Sequence, residues 1–113
     1  MQIRDATVVL DREQLRDITL NDEDLMREVL RALIDDTARQ IPLLESAIRA
    51  ADPQRCAHLA HYSKGACANV GASAAAEVLG TLERQAKSQE FVGCSESLRA
   101  LIEQMELLRS EAL

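Results

Sequence analysis

Between Asn21 and Asp52 the residues Leu25, Val29, Leu33, Ile34, Ile41, Leu44 and Ile48 recur on a helical period. A stripe over about residues 22–50 is roughly 43 Å long at about 1.5 Å per residue. The longest stripe in the chain, it calls for other apolar faces to cover it. Asn21 reads as the N-cap, with Asp24 three residues on and Leu20 placed to meet Leu25 across the cap. Pro42 removes one backbone donor and predicts a kink rather than an end.

The remaining sequence supplies the partners. Hydrophobic residues make up 47% of the 113, yet there is one Phe, one Tyr and no Trp, so Ala, Leu, Ile and Val must fill the core. Four Gly and two Pro are too few for the turns of an all-β fold. Asp11, with Gln14 three residues later and Leu10 and Leu15 spaced as a staple, opens a short helix over about 11–18. Ala6–Leu10 is an apolar piece too brief to stand alone.

Asp52-Pro53 is a strong start signal for a helix over about 53–68. Its inner face carries Cys56, Leu59, Ala60, Ser63 and Cys67, and Gly71 fits a left-handed stop beyond it. Further helices follow over about 73–88, with Ala75, Val78, Leu79, Leu82 and Ala86 inward, and about 91–112, with Leu98, Leu101, Ile102, Met105 and Leu108 inward. Short connections make successive helices antiparallel. The expected architecture is all-α: one domain over 1–113, an antiparallel up-down-up-down four-helix bundle with a short extra N-terminal helix. Because one bundle uses all the apolar stripes, a monomer is expected.

Bulk properties exclude several function classes. A net charge of −6, from 19 acidic and 13 basic residues, disfavours nucleic acid as a partner. No apolar run reaches the length of a membrane span, and the N-terminus lacks a signal-peptide pattern. Cys56, Cys67 and Cys94 form an odd set without paired spacing, which argues for small core residues in a reduced, cytoplasmic protein.

Chemistry concentrates on the outer face of the third helix, which carries Gln54, Ala57, His58, His61, Lys64, Gly65 and Ala68. Residues three and four apart share a face, so His61, Lys64 and Gly65 form one patch: a nucleophile, a positive charge and a position without a side chain. An imidazole with the ordinary pKa of about 6.5 is neutral and nucleophilic at pH 7. Glycine at an exposed mid-helix position loses about 0.5–1 kcal/mol relative to alanine, and close approach of a partner gives a reason for it. Neither a Gly-rich phosphate loop nor an acidic metal pocket is evident, so the chain has no ATP site and cannot phosphorylate itself. His58 lacks a Lys-Gly at the required spacing. A metal site from His58, His61 and Cys56 is disfavoured, since Cys56 points inward and zinc normally wants four ligands.

The run Ala60-His61-Tyr62-Ser63-Lys64-Gly65, with Gly71 six residues on, resembles the phosphoacceptor segment of histidine-containing phosphotransfer (HPt) domains. The likeness extends over about residues 11–108. It implies a phosphorelay intermediate: His61 accepts a phosphoryl group from a receiver-domain phosphoaspartate and passes it to, or back to, another receiver. Lys64 would neutralise phosphoryl charge, and Gln54, Ala57, His58, Gly65 and Ala68 would form the docking face. The partners implied are response-regulator receiver domains, met directly or through a hybrid sensor histidine kinase. No cofactor is expected on this chain, the Mg²⁺ belonging to the receiver.

Three positions depart from the family pattern. Ser63 stands where members usually carry Leu, Tyr62 where Ser or Thr is common, and Glu83, 22 residues after His61, where some members place a Gln that holds the imidazole. A carboxylate there could orient the ring, yet would repel a phosphoryl group held too close; Lys87, one turn later, falls where it can offset that charge. The competing reading is a helical adaptor that docks partners without phosphorylation.

Overall fold

The computed structural model describes residues 8–111. Five helices follow one another: α1 (Arg12–Ile18), α2 (Glu23–Arg49), α3 (Pro53–Val70), α4 (Ser73–Lys87) and α5 (Phe91–Ser110). Each of α2 to α5 packs on its sequence neighbour, and α5 closes the ring on α2; α1 lies across α2 and α3. The bundle is all-helical, as the apolar stripes require. Residues 6 and 7 of the short N-terminal apolar piece, and Ala112 at the expected end of the last helix, lie outside the described residues.

The caps are local chemistry. Asp11 accepts from the Gln14 amide and Asp52 from the Arg55 amide, each at 3.1 Å, with Pro53 at the start of α3. Leu10 and Leu15 are both buried, in keeping with a staple across the first cap.

The second helix starts differently from expectation. Asn21 adopts a left-handed φ of 62° and its amide donates to the Arg16 carbonyl at 2.8 Å, so it closes α1 instead. The cap passes to Asp22, which accepts from Leu25 N at 3.1 Å. Leu20, also left-handed, is 89% exposed and makes no staple. Pro42 lies inside a continuous α2.

The buried arc of α2 is also rotated from the expected stripe. Met26, Leu30, Leu33, Ile34, Thr37, Leu44 and Ala47 are buried, whereas Leu25 is exposed and Val29, Ile41 and Ile48 are only partly covered. The arc is set by two neighbours, α3 on one side and α5 on the other, which a single-helix pattern does not contain. Ile102 is likewise open, because the inner row of α5 runs Leu98, Leu101, Met105, Leu108.

At the far end of α3, Gly71 adopts φ 101°, and a Cβ there would lie 2.8 Å from the Asp11 carbonyl oxygen. Conformation and space both demand glycine at this position. The segment before α1 crosses at this point, with Asp11 N donating to Gly71 O and Ala74 N to Val8 O. Gln14 Nε2 adds bonds to the Ala68 and Asn69 carbonyls, at 2.6 and 3.1 Å. These contacts satisfy the open end of α3 and fix its rotation about its own axis.

The three cysteines are free and buried. Burial pushes the Cys56 and Cys67 thiols up to about 11 and raises Cys94 as well, which leaves them protonated and unreactive at neutral pH.

Candidate functional site

The cap at Asp52 starts α3, and the inward row Cys56, Ala60, Ser63 and Cys67 turns the opposite row outward. His61 stands near the middle of that outer row, its side chain 69% exposed. Gln54, His58, Gly65 and Ala68 are exposed with it. Ala57, expected on the same open face, is instead buried. Because α3 is flanked by α2 and α4, its covered arc is wider than one stripe.

Glu83 of α4 organises the group. Its carboxylate is nearly buried, yet three partners converge on it: Lys64 Nζ at 3.1 Å, Lys87 Nζ at 3.2 Å and His61 Nδ1 at 3.2 Å. Burial alone would push the carboxyl up. Hydrogen bonds from Lys64, Lys87 and His61, with the charge of Lys64, outweigh that and hold it at about 2, against an ordinary value of 4.5. An ionised carboxylate can only accept, so His61 Nδ1 must carry the proton it donates. In the neutral ring the lone pair is then on Nε2.

The sequence-predicted residues divide by location. His61, Lys64, Glu83 and Lys87 meet in one cluster. Gln54, Ala57, His58, His61, Glu83 and Lys87 line a concavity of about 470 Å³ between the start of α3 and the end of α4, together with Pro53 and Gln89. Gly65 and Ala68 lie outside it, further along α3. Pro53 and Gln89 are not expected there from sequence: Pro53 reads as a helix starter, and Gln89 carries no signal in the chain. At Gly65 a Cβ would meet nothing within 4 Å, so packing within the bundle does not require the missing side chain.

The hydroxyl of Ser63 is buried under this face with no hydrogen-bond partner. His58 and Cys56 diverge, one exposed and one buried, and no group of three or more metal-ligating side chains forms among the described residues. No helix there is long and apolar enough to cross a membrane.

Comparison with known proteins adds three findings. The Hpt domain family matches residues 28–111. The crystal structure of histidine-containing phosphotransfer protein B (HptB) from Pseudomonas aeruginosa PAO1 is similar, with a TM-score of 0.82 and 25% identity, covering 90% of this chain and 89% of that one. No curated protein sequence matches.

Proposed function

The chain belongs to the Hpt domain family, and on that premise we propose that it relays phosphoryl groups through His61. The supporting observation is the hydrogen bond from His61 Nδ1 to Glu83, which leaves Nε2 as the outward nucleophile. In the proposed step the Nε2 lone pair attacks the phosphorus of a receiver's aspartyl phosphate. An N–P bond forms, the acyl P–O bond breaks, and the leaving carboxylate keeps its electron pair. The ring becomes positively charged as it bonds phosphorus while retaining its Nδ1 proton, and the Glu83 carboxylate stabilises that charge. This answers the concern that a carboxylate would only repel the phosphoryl group: it lies behind the ring, on the side away from Nε2.

Lys64, one turn after His61 and 3.1 Å from Glu83, takes the role of neutralising the equatorial oxygens when its flexible side chain turns towards the phosphoryl group. Lys87 holds the other oxygen of Glu83 and keeps the carboxylate in place. Gly65 leaves open space through which a receiver reaches the acceptor, and the exposed Gln54, His58 and Ala68 complete the docking face. The divalent cation of the reaction resides on the receiver.

Incubation with a phosphorylated receiver tests the assignment. His61→Gln should take no label, whereas His58→Gln should remain labelled. The label should be acid-labile and base-stable, as a phosphoramidate is. Label that persists in His61→Gln would refute the assignment, and a receiver that binds without transferring label would favour the adaptor reading.

A further inference from the structure

Tyr62 is the chain's one tyrosine and one of its two aromatic residues. The other, Phe91, packs against the core. Tyr62 remains 53% exposed, immediately after His61. Its hydroxyl donates to Asp36 Oδ2 of α2 at 3.0 Å, and Asp36 also faces Arg39 at 3.5 Å. The ring is thus fixed at both ends, by the α3 backbone and by α2, while much of it stays uncovered. His61 has a different neighbour on each side: the charged cluster with Glu83 towards α4, and this ring towards α2.

Folding gives little reason for the arrangement. An exposed side-chain bond of this kind adds little to stability, and a ring left half in water recovers only part of its transfer energy. Binding gives a better one. An aromatic side chain has few torsions, and one already tethered loses little freedom when a partner covers it. Tyrosine is enriched among residues that dominate interface energetics. A receiver that covers the outer face of α3 around His61 meets this exposed ring on the α2 side.

Building on the phosphotransfer reading, we infer that Tyr62 is a specificity-determining contact that presents its exposed ring to an aliphatic side chain of the incoming receiver. Asp36 acts as a positioning residue that holds the ring in register. A receiver with an acidic side chain at the facing position is discriminated against, because an anion is repelled by the face of the ring and by the Asp36 carboxylate bound to its hydroxyl.

The test measures transfer from a panel of phosphorylated receivers to wild type, Tyr62→Ala, Tyr62→Phe and Asp36→Asn, with thermal unfolding of each. For the preferred receiver, Tyr62→Ala should raise KM by about fivefold or more, the scale of a contact that carries binding energy, with kcat within about twofold of wild type. Tyr62→Phe, which keeps the ring but loses the tether, should be intermediate, Asp36→Asn, whose carbonyl can still accept, should lose no more than that, and the Tyr62→Ala variant should compress the ranking of receivers. An unchanged KM and ranking in Tyr62→Ala would overturn the inference. So would equal losses in Tyr62→Ala and Tyr62→Phe that follow a drop in melting temperature, since that pattern marks a structural tie. Should wild type take no label, the phosphotransfer reading itself fails. Calorimetric affinity of unphosphorylated receivers for wild type and Tyr62→Ala then still decides whether the ring is a contact.

Discussion

The α2 surface and the α3–α4 seam use the same kinds of side chain to opposite ends. Along α2 the pairs Asp24–Arg27, Asp36–Arg39 and Glu45–Arg49 each join residues within one turn, facing water. At the seam Lys64 and His61 reach across from α3, and Lys87 joins from α4 itself, so that three groups converge on the single, nearly buried carboxylate of Glu83. Charge opposite charge on one helix is a solvated surface. Convergence on a desolvated acid orients the imidazole of His61, which makes the seam the candidate site and α2 its support.

The sharpest way to break this comparison is at Gly65, where the seam is open and nothing in the bundle needs the space. Gly65→Leu should slow transfer about a hundredfold, the scale of a reacting group misplaced by about 1 Å. Its melting temperature should hold or rise, because glycine is the poorer helix former. Unimpaired transfer would remove close approach as the reason for glycine.

Next in size are the members of the cluster. Glu83→Ala should lower the transfer rate ten- to hundredfold, as loss of a charged hydrogen bond of about 1.5–3 kcal/mol requires, with Glu83→Gln less affected because its carbonyl still accepts from Nδ1. The acid limb of stability supplies an independent readout. Glu83 has a folded value of about 2, below its ordinary 4.5, so its contribution is full above about pH 4.5 and disappears as pH falls towards 2. Glu83→Gln should lose that part of the acid dependence in a pH series of melting curves. Lys64→Ala should also slow transfer about ten- to hundredfold, without removing the acceptor.

The smallest effects belong to α2. Arg27→Ala and Arg49→Ala should each change unfolding free energy by no more than about 0.5 kcal/mol and leave transfer untouched. A larger change in denaturant melts would mean that the two surfaces differ less than their geometry implies.

What the sequence discloses follows the range of the interactions involved. The caps at Asp11 and Asp52, the stop at Gly71 and the outward row of His61 and Lys64 are decided within a few residues, and each is readable. The rotation of α2 is not, because α3 and α5 together choose which residues are covered. Asn21 and Asp22 are both competent caps, and the choice between them depends on how α1 ends. Glu83 stands out only through its distance from His61 in a family pattern. Its contact with Lys64, and its proximity to a groove reaching Pro53 and Gln89, depend on how α3 and α4 come together.

The convergence on Glu83 also sets the net charge around His61. Two ammonium groups and one carboxylate leave the unloaded cluster with a single positive charge while the ring is neutral. In the proposed relay the transferred unit is formally metaphosphate, which carries one negative charge, so loading His61 would cancel the charge of the cluster. Empty and loaded forms would then differ in local electrostatic potential without any helix moving. An acidic partner would be drawn more strongly to the empty protein than to the loaded one, and the site would announce its own state at the surface.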